Sequence, residues 1–190
     1  EAKKFVPHFH IPLQSGNDQM LKAMRRKYDT QLYENRIKLI KSLRPDACIG
    51  VDVIVGFPGE TDEYFNDTVN FLKKLDISYL HVFTYSERAN TTAKKMVDVV
   101  PMSTRKERSQ VLHLLSDRKK RAFYAENENT VRKVLVENEN NNGMMYGFTE
   151  NYVKIKIPYQ KDLANTIQTV SLTELDRDII YKSELITMSK

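Results

Sequence analysis

A single cysteine, Cys48, stands in the whole sequence. That excludes a disulfide framework and a cysteine-rich metal site. Cys48 lies in Ala47-Cys48-Ile49-Gly50-Val51, at the start of an apolar stretch, and reads as a buried small hydrophobe. No apolar run approaches the length that spans a bilayer, so no membrane segment is expected. Low-complexity stretches and internal repeats are also missing. The opening residues, Glu1-Ala2-Lys3-Lys4, lack a signal-peptide layout and read as an internal cut, so a cytoplasmic protein is expected. Wholesale disorder is excluded as well, because 41% of the 190 residues are apolar and they fall in periodic blocks. The length allows one medium domain, or part of a larger one followed by a small one.

The net charge is +5, and one segment holds all of it. Residues 103–125 carry seven basic side chains, Arg105, Lys106, Arg108, Arg118, Lys119, Lys120 and Arg121, against two acids, Glu107 and Asp117. Such a stripe is either a nucleic-acid footprint or a solvated helix face.

The pattern of the first two thirds is strand and helix in alternation. Residues 8–14 read as a short strand, and the turn Ser15-Gly16-Asn17-Asp18 leads into a helix bearing Met20, Leu21 and Met24. Asp29 or Thr30 caps the next helix, whose apolar stripe is Leu32, Tyr33, Ile37, Ile40 and Leu43, and Pro45 stops it. Residues 48–55 are apolar at nearly every position and β-branched, which suits a parallel strand buried on both faces. After Gly56-Phe57-Pro58-Gly59, Thr61 caps a helix with Asp62 and Glu63 in its first turn. Its stripe is Phe65, Val69, Leu72 and Leu75, and a strand follows at 78–85. This order predicts a parallel sheet or a (β/α) barrel with about three strands, truncated on its N-terminal side. Thr104-x-x-Glu107 reads as a capping box opening a long helix with Val111, Leu112, Leu115, Ala122 and Phe123 on its core face. From Thr130 the pattern is all β, with about five strands over sixty residues, and a small OB-like barrel is expected. The boundary is set near 128, giving domains at 1–128 and 129–190.

Function in a parallel α/β unit sits at the carboxyl ends of strands. Three such ends are legible. The first is His10-Ile11-Pro12-Leu13-Gln14-Ser15-Gly16, where Gln14 and Ser15 offer an amide and a hydroxyl. His10 reads as a hydrogen-bonded interior histidine. His8 and His10 lack a third ligand nearby in sequence, so no metal site is expected. The second runs from Asp52 to Thr61. Asp52 is a charge inside an apolar strand and needs either an internal partner or a ligand cavity. Gly56 permits close approach or positive φ, and the helix at Thr61 offers free N–H groups. The third end places Tyr85 and Arg88 beside the others. Gln14, Asp52, Gly56 and Tyr85 are expected to face one cavity, with Ser15, Glu60 and Arg88 at its rim.

Three blocks carry a family resemblance: His10 to Gly16, Met24-Arg25-Arg26-Lys27-Tyr28, and Gly50 to Thr61. In this order and spacing they resemble the methylthiotransferases of the radical-SAM superfamily. The block His81 to Arg88 is most similar to the branch acting on N6-threonylcarbamoyladenosine in tRNA. The resemblance implies an α/β fold, the C-terminal part of a radical-SAM (β/α) partial TIM barrel, followed by an OB-like TRAM barrel at 129–190. It implies an enzyme that methylthiolates C2 of that adenosine next to the anticodon, using S-adenosylmethionine and two [4Fe-4S] clusters in the full-length protein. The cofactor-binding positions would be Gln14, Ser15, Asp52, Gly56, Glu60, Tyr85 and Arg88. All six cluster cysteines of the family are missing, so no catalytic residue is assigned, no cluster is expected on this chain, and the fragment alone should be inactive. Implied partners are the tRNA anticodon arm, an electron donor and the missing N-terminal half of the same protein. Candidate RNA contacts are Arg118, Lys119 and Arg121 on the long helix, with Arg132, Lys133, Lys154, Lys156 and Tyr152 on the barrel; Tyr146 is a further stacking candidate, and Phe148 reads as core in preference to a stacking surface. Residues 130–190 carry eight basic and eight acidic side chains, so any attraction there is local. Two other readings stand beside this one: an RNA-binding module without enzymology, and the branch that modifies a ribosomal protein.

Overall fold

The computed structural model describes residues 5–87 and 98–186. The chain divides into two compact units. One comprises Phe9–Pro45 and Ile49–Lys119, and the other comprises Glu1–His8, Asp46–Cys48 and Lys120–Lys190. The long helix ends at Ala125 and the next strand starts at Val131, whereas the division into units falls inside that helix, between Lys119 and Lys120, and not near 128.

The α/β unit is built on three parallel strands in the order β1-β2-β3: β1 (His8–His10), β2 (Cys48–Val55) and β3 (Tyr79–Thr84). Helices α1 (Asp18–Ala23), α2 (Thr30–Leu43), α3 (Asp62–Lys74) and α4 (Met102–Ala125) connect and follow them. β1 is shorter than the expected strand at 8–14. The chain nevertheless continues beside β2, with Ile11 N donating to Gly50 O and Leu13 N to Asp52 O, and a last bridge joins Gln14 to Val53. Alternation on β2 sorts its side chains: Ile49, Val51, Val53 and Val55 enter one core with Leu13, Phe65, Val69, Leu72 and Leu112. The opposite face carries Gly50, Asp52 and Ile54, in register with Tyr79, His81 and Phe83 of β3. Cys48 is buried, as its context implies.

Caps follow the sequence in part. Asp29 Oδ1 accepts from Leu32 N, and Thr61 Oγ1 accepts from Tyr64 N, which starts α2 and α3 where side-chain capping predicts. The capping box at Thr104 is not used. α4 starts at Met102, after Pro101, so Thr104 lies inside the helix. Two stripes are narrower than periodicity implied. Leu32 and Leu43 are exposed on α2 while Tyr33 and Ile37 are buried, and Val111 of α4 is exposed beside the buried Leu112. Ser116 of α4 takes both backbone groups of Leu80, accepting from its N–H and donating to its carbonyl, so α4 satisfies part of the β3 edge.

The second unit contains a closed five-stranded barrel in the order β4-β5-β6-β8-β7. Its strands are β4 (Val131–Val136), β5 (Met144–Thr149), β6 (Lys154–Pro158), β7 (Ile167–Leu175) and β8 (Tyr181–Leu185). Closure removes free edges, and the inward side chains Val134, Met145, Ile155, Ile157, Val170, Leu172 and Tyr181 fill the interior. Tyr181 donates its hydroxyl hydrogen to Tyr124 O at 2.7 Å, fixing the last turn of α4 on the barrel wall.

Candidate functional site

The strand ends bring Gln14, Asp52, Gly56 and Tyr85 onto neighbouring chain segments. Gln14 N donates to Asp52 O, Ile54 N donates to Gln14 O, and Tyr85 N donates to Val55 O beside Gly56. Gln14 has φ +76°, a left-handed conformation that a non-glycine residue adopts at a cost. Asp52 projects on the face away from the helical core. His10 Nε2 lies 2.7 Å from Asp52 Oδ1, and the His81 ring sits 5.1 Å from that of His10. The His10–Asp52 contact is close but is not aligned as a hydrogen bond, and Asp52 Oδ1 is left buried without a hydrogen-bond partner. A buried carboxylate oxygen in that state is an acceptor awaiting a donor. Tyr79 packs edge-on against His81 and crosses Gly50, where a Cβ would meet its ring at 2.4 Å. His10 is therefore not the interior histidine its sequence suggested: its side chain is 40% exposed and paired with Asp52.

Ser15 and Glu60, expected at a rim, lie in the interior. Ser15 is 1% exposed, with Oγ 3.2 Å from Thr68 Oγ1 on α3. Gly16 packs behind it, because a Cβ there would meet Thr68 Cα at 2.9 Å. Glu60 Oε2 accepts from Gly56 N at 2.7 Å and from Arg108 Nη1 at 2.7 Å. Burial pushes the Glu60 carboxyl above its ordinary range, while the Gly56 N–H and Arg108 pull it back. Arg105 is 2% exposed and donates to Val100 O, Tyr85 O and Glu87 Oε1. A Cβ on Gly56 (φ +75°) would meet Arg105 Cγ at 2.3 Å, so this glycine admits an arginine of the protein itself. The loop N–H groups are used internally: Gly59 N donates to Asp98 O and Glu60 N to Phe57 O. With Asp62 and Glu63 in its first turn, the start of α3 borders an open groove of about 490 Å³ that Arg108 and Pro101 also line, and this is a poor anion site. Arg88 lies outside the described residues. Sequence reasoning missed Arg105 and Arg108, which it counted in a basic stripe. Their spacing from the strand ends gave no signal, because the clamp spans residues far apart in the chain.

The RNA candidates divide by how they are engaged. Lys119 Nζ donates to Leu75 O at 2.7 Å and Lys73 O at 3.3 Å, closing the C-terminus of α3, and burial lowers its pKa. Arg132 pairs with Asp46 at 3.0 Å and also donates to Asn127. Lys156 pairs with Asp176. Arg121 donates to Arg177 O, while Arg118 and Lys133 are exposed. Phe148 is half-buried on the outside of the barrel and stacks on Tyr152 at 4.7 Å, and Lys154 Nζ lies over the rings of Tyr146 and Phe148. Among the described residues no group of His, Cys, Asp and Glu is placed to hold a metal, and no helix is long and apolar enough to cross a membrane.

Comparison with known proteins gives a consistent picture. Residues 1–72 match the Radical SAM superfamily. The chain is 39% identical over 168 residues to a threonylcarbamoyladenosine tRNA methylthiotransferase of Aquifex aeolicus, covering 88% of this chain and 40% of that protein. It is 39% identical over 175 residues to the enzyme of the same name from Bacillus subtilis, covering 90% and 39%. It is 38% identical over 171 residues to the tRNA-2-methylthio-N(6)-dimethylallyladenosine synthase of Bacillus subtilis, covering 89% and 34%. The chain thus spans about two fifths or less of these relatives' lengths. Among solved structures, coproporphyrinogen III oxidase from Escherichia coli, a radical SAM enzyme, superposes with a TM-score of 0.51 at 11% identity, covering 83% of this chain and 47% of that one. The fold class is therefore the radical-SAM α/β class.

Proposed function

This chain is a relative of the radical-SAM tRNA methylthiotransferases, and from that premise we propose that it is the C-terminal part of such an enzyme, of the branch that modifies N6-threonylcarbamoyladenosine next to the anticodon. One observation carries the reading. Two of the three sequence blocks shared with the family run to the ends of adjacent parallel strands, and there Asp52 keeps a buried oxygen without a hydrogen-bond partner. S-adenosylmethionine fits that feature, since its hydroxyl and ammonium groups are donors; when bound, it would supply the adenosyl radical and the methyl group. Asp52 would accept from it, Gln14 would present its amide on the adjoining segment, and Gly56 and Tyr85 would border the same strand ends. Ser15 and Glu60 act behind this layer, by holding Gln14 and the Gly56 turn in place. A [4Fe-4S] cluster does not fit this chain, because one buried cysteine cannot replace several thiolates. On this reading both clusters are held outside this chain, a separate electron donor reduces them, and the chain alone is inactive.

The closed barrel we read as a TRAM-type RNA-binding domain acting, with the exposed end of α4, on the tRNA anticodon arm in the cytoplasm. Among the candidate cations, Arg118 and Lys133 are exposed, Arg121 donates to a single carbonyl and Lys154 lies over two rings, whereas Lys119, Arg132 and Lys156 already serve internal partners. The test is nucleoside mass spectrometry of tRNA from cells lacking the modification, with and without the full-length protein. Appearance of the 2-methylthio derivative of N6-threonylcarbamoyladenosine supports the reading. The dimethylallyl derivative, or methylthiolation of a ribosomal protein, would move it to another branch. RNA binding without any modification would leave only an RNA-binding module.

A further inference from the structure

We propose that Tyr146 and Phe148 form a slot for one unpaired nucleobase on the outer face of the barrel, and that Lys154 fills the slot when RNA is absent. This rests on the RNA-binding reading of the barrel and adds the mode of contact. Met145, Gly147 and Thr149 of β5 are buried, which turns Tyr146 and Phe148 outward together. Side chains two residues apart on one strand stand about 6.7 Å from each other. Stacked bases repeat at about 3.4 Å, so the gap suits one planar base with a ring on either side. Lys154 lies opposite Phe148 on β6, and its ammonium is 4.8 Å from the Tyr146 ring centre and 5.9 Å from that of Phe148. A cation–π contact at an exposed site is weaker than the stacking of a base on the same ring, so an arriving base can displace the ammonium. The freed ammonium then has a phosphate to meet.

The far wall of the slot is braced. Behind Phe148 the Tyr152 ring stacks at 4.7 Å, and behind that His8 stacks at 3.9 Å with the planes 6° apart. Both faces of Tyr152 are therefore already covered, so it supports a stack and offers no face to a base. Its backbone sits at φ +67°, costly for a bulky residue, and is held there by a tight turn. Tyr152 N donates to Thr149 O, Val153 N donates to Thr149 Oγ1, and the fully buried Asn151 shares a 2.7 Å hydrogen bond with that same hydroxyl. Strain maintained beside an exposed aromatic column is what a pre-organised stacking surface requires. Every base has a π-face, so the slot reads unpairedness and not sequence.

The experiment uses the 190-residue chain and a short single-stranded RNA with 2-aminopurine at one position and fluorescein at one end. Anisotropy of the fluorescein reports binding, and 2-aminopurine emission reports stacking. The wild-type chain should quench 2-aminopurine in the single strand and not in the matching duplex. Tyr146→Leu and Phe148→Leu should lose the quench and weaken single-strand binding about tenfold, while Tyr146→Phe keeps both. Lys154→Met should keep the quench while the salt dependence falls by about one phosphate contact. Circular dichroism melts separate a lost slot from a lost fold, and the conservative Tyr146→Phe variant provides a folded comparison. RNA that binds without quenching in the wild type, or leucine variants that quench equally, would overturn the slot while leaving RNA binding intact. A chain that binds no RNA would overturn both.

Discussion

Replacing Arg108 with leucine removes the only cation that, among the described residues, touches the buried Glu60 carboxylate. In the intact protein, Arg108 Nη1 lies 2.7 Å from Glu60 Oε2 and 2.9 Å from Glu60 O, and Nη2 lies 2.6 Å from Asp62 Oδ1. The two arms are unequal. The Asp62 side chain is 89% exposed, and a pair of that kind is worth under about 1 kcal/mol. The Glu60 side chain is 2% exposed, and stranding a buried charge costs about 3–5 kcal/mol. We therefore expect Arg108→Leu to destabilise the α/β unit by about 3–5 kcal/mol at pH 7. The loss should be mostly relieved when Glu60→Gln is added, because the neutral amide can still accept from Gly56 N. The pH dependence has a definite sign. Burial already raises the Glu60 carboxyl above 4.5, and removing Arg108 raises it further. A carboxyl raised by folding contributes stability that is present below its unfolded value and lost as pH rises through the folded one. The deficit of Arg108→Leu should accordingly shrink between pH 7 and pH 5. Urea unfolding followed by far-UV circular dichroism at the two pH values, for both single variants and the double, measures this. A single-variant loss under about 1 kcal/mol, or a double variant no better than Arg108→Leu, would refute the view that Glu60 depends on Arg108.

Three further outcomes are expected. Gly56→Ala should cost about 2–4 kcal/mol in urea unfolding, since it combines a left-handed φ with a Cβ driven into Arg105. Burial raises the phenols of Tyr124 and Tyr181 to about 12, so their contribution is complete below about pH 10 and gone by about pH 12. Barrel stability should fall through that window, and Tyr181→Phe should remove about half of the slope. In a tRNA-binding salt series, Lys154→Ala should reduce the log–log slope by about one, and Lys156→Ala by less, because Asp176 already holds Lys156. Equal effects of the two would show that the Asp176 pair does not persist in solution.

Much of this architecture is written in local pattern. The mostly apolar run at 48–55, rich in β-branched residues, is a parallel strand because both its faces are covered or adjoined by other elements, and its limits match the sequence to the residue. Thr61 and Asp29 cap helices by hydrogen bonds reaching only three residues, which sequence spacing specifies. The alternation of Val153, Ile155 and Ile157 fixes which side of the barrel wall is apolar. The candidate ligand positions could be listed for the same reason: strand ends are local features. Their surroundings could not. Whether Asp52 has a partner depends on His10, from a different strand, and whether Gly56 is a ligand cradle or a packing niche depends on Arg105, 49 positions along the chain. Charge misled most. Arg105, Arg108, Lys119, Arg132 and Lys156 all count as basic in the sequence, yet each is held by carbonyls or carboxylates brought close only by folding. Composition determines how many cations a chain carries, and periodicity determines which elements carry them. Which cations remain free to meet a phosphate is decided by three-dimensional proximity, because a carboxylate 3 Å away outweighs anything the neighbouring sequence can say.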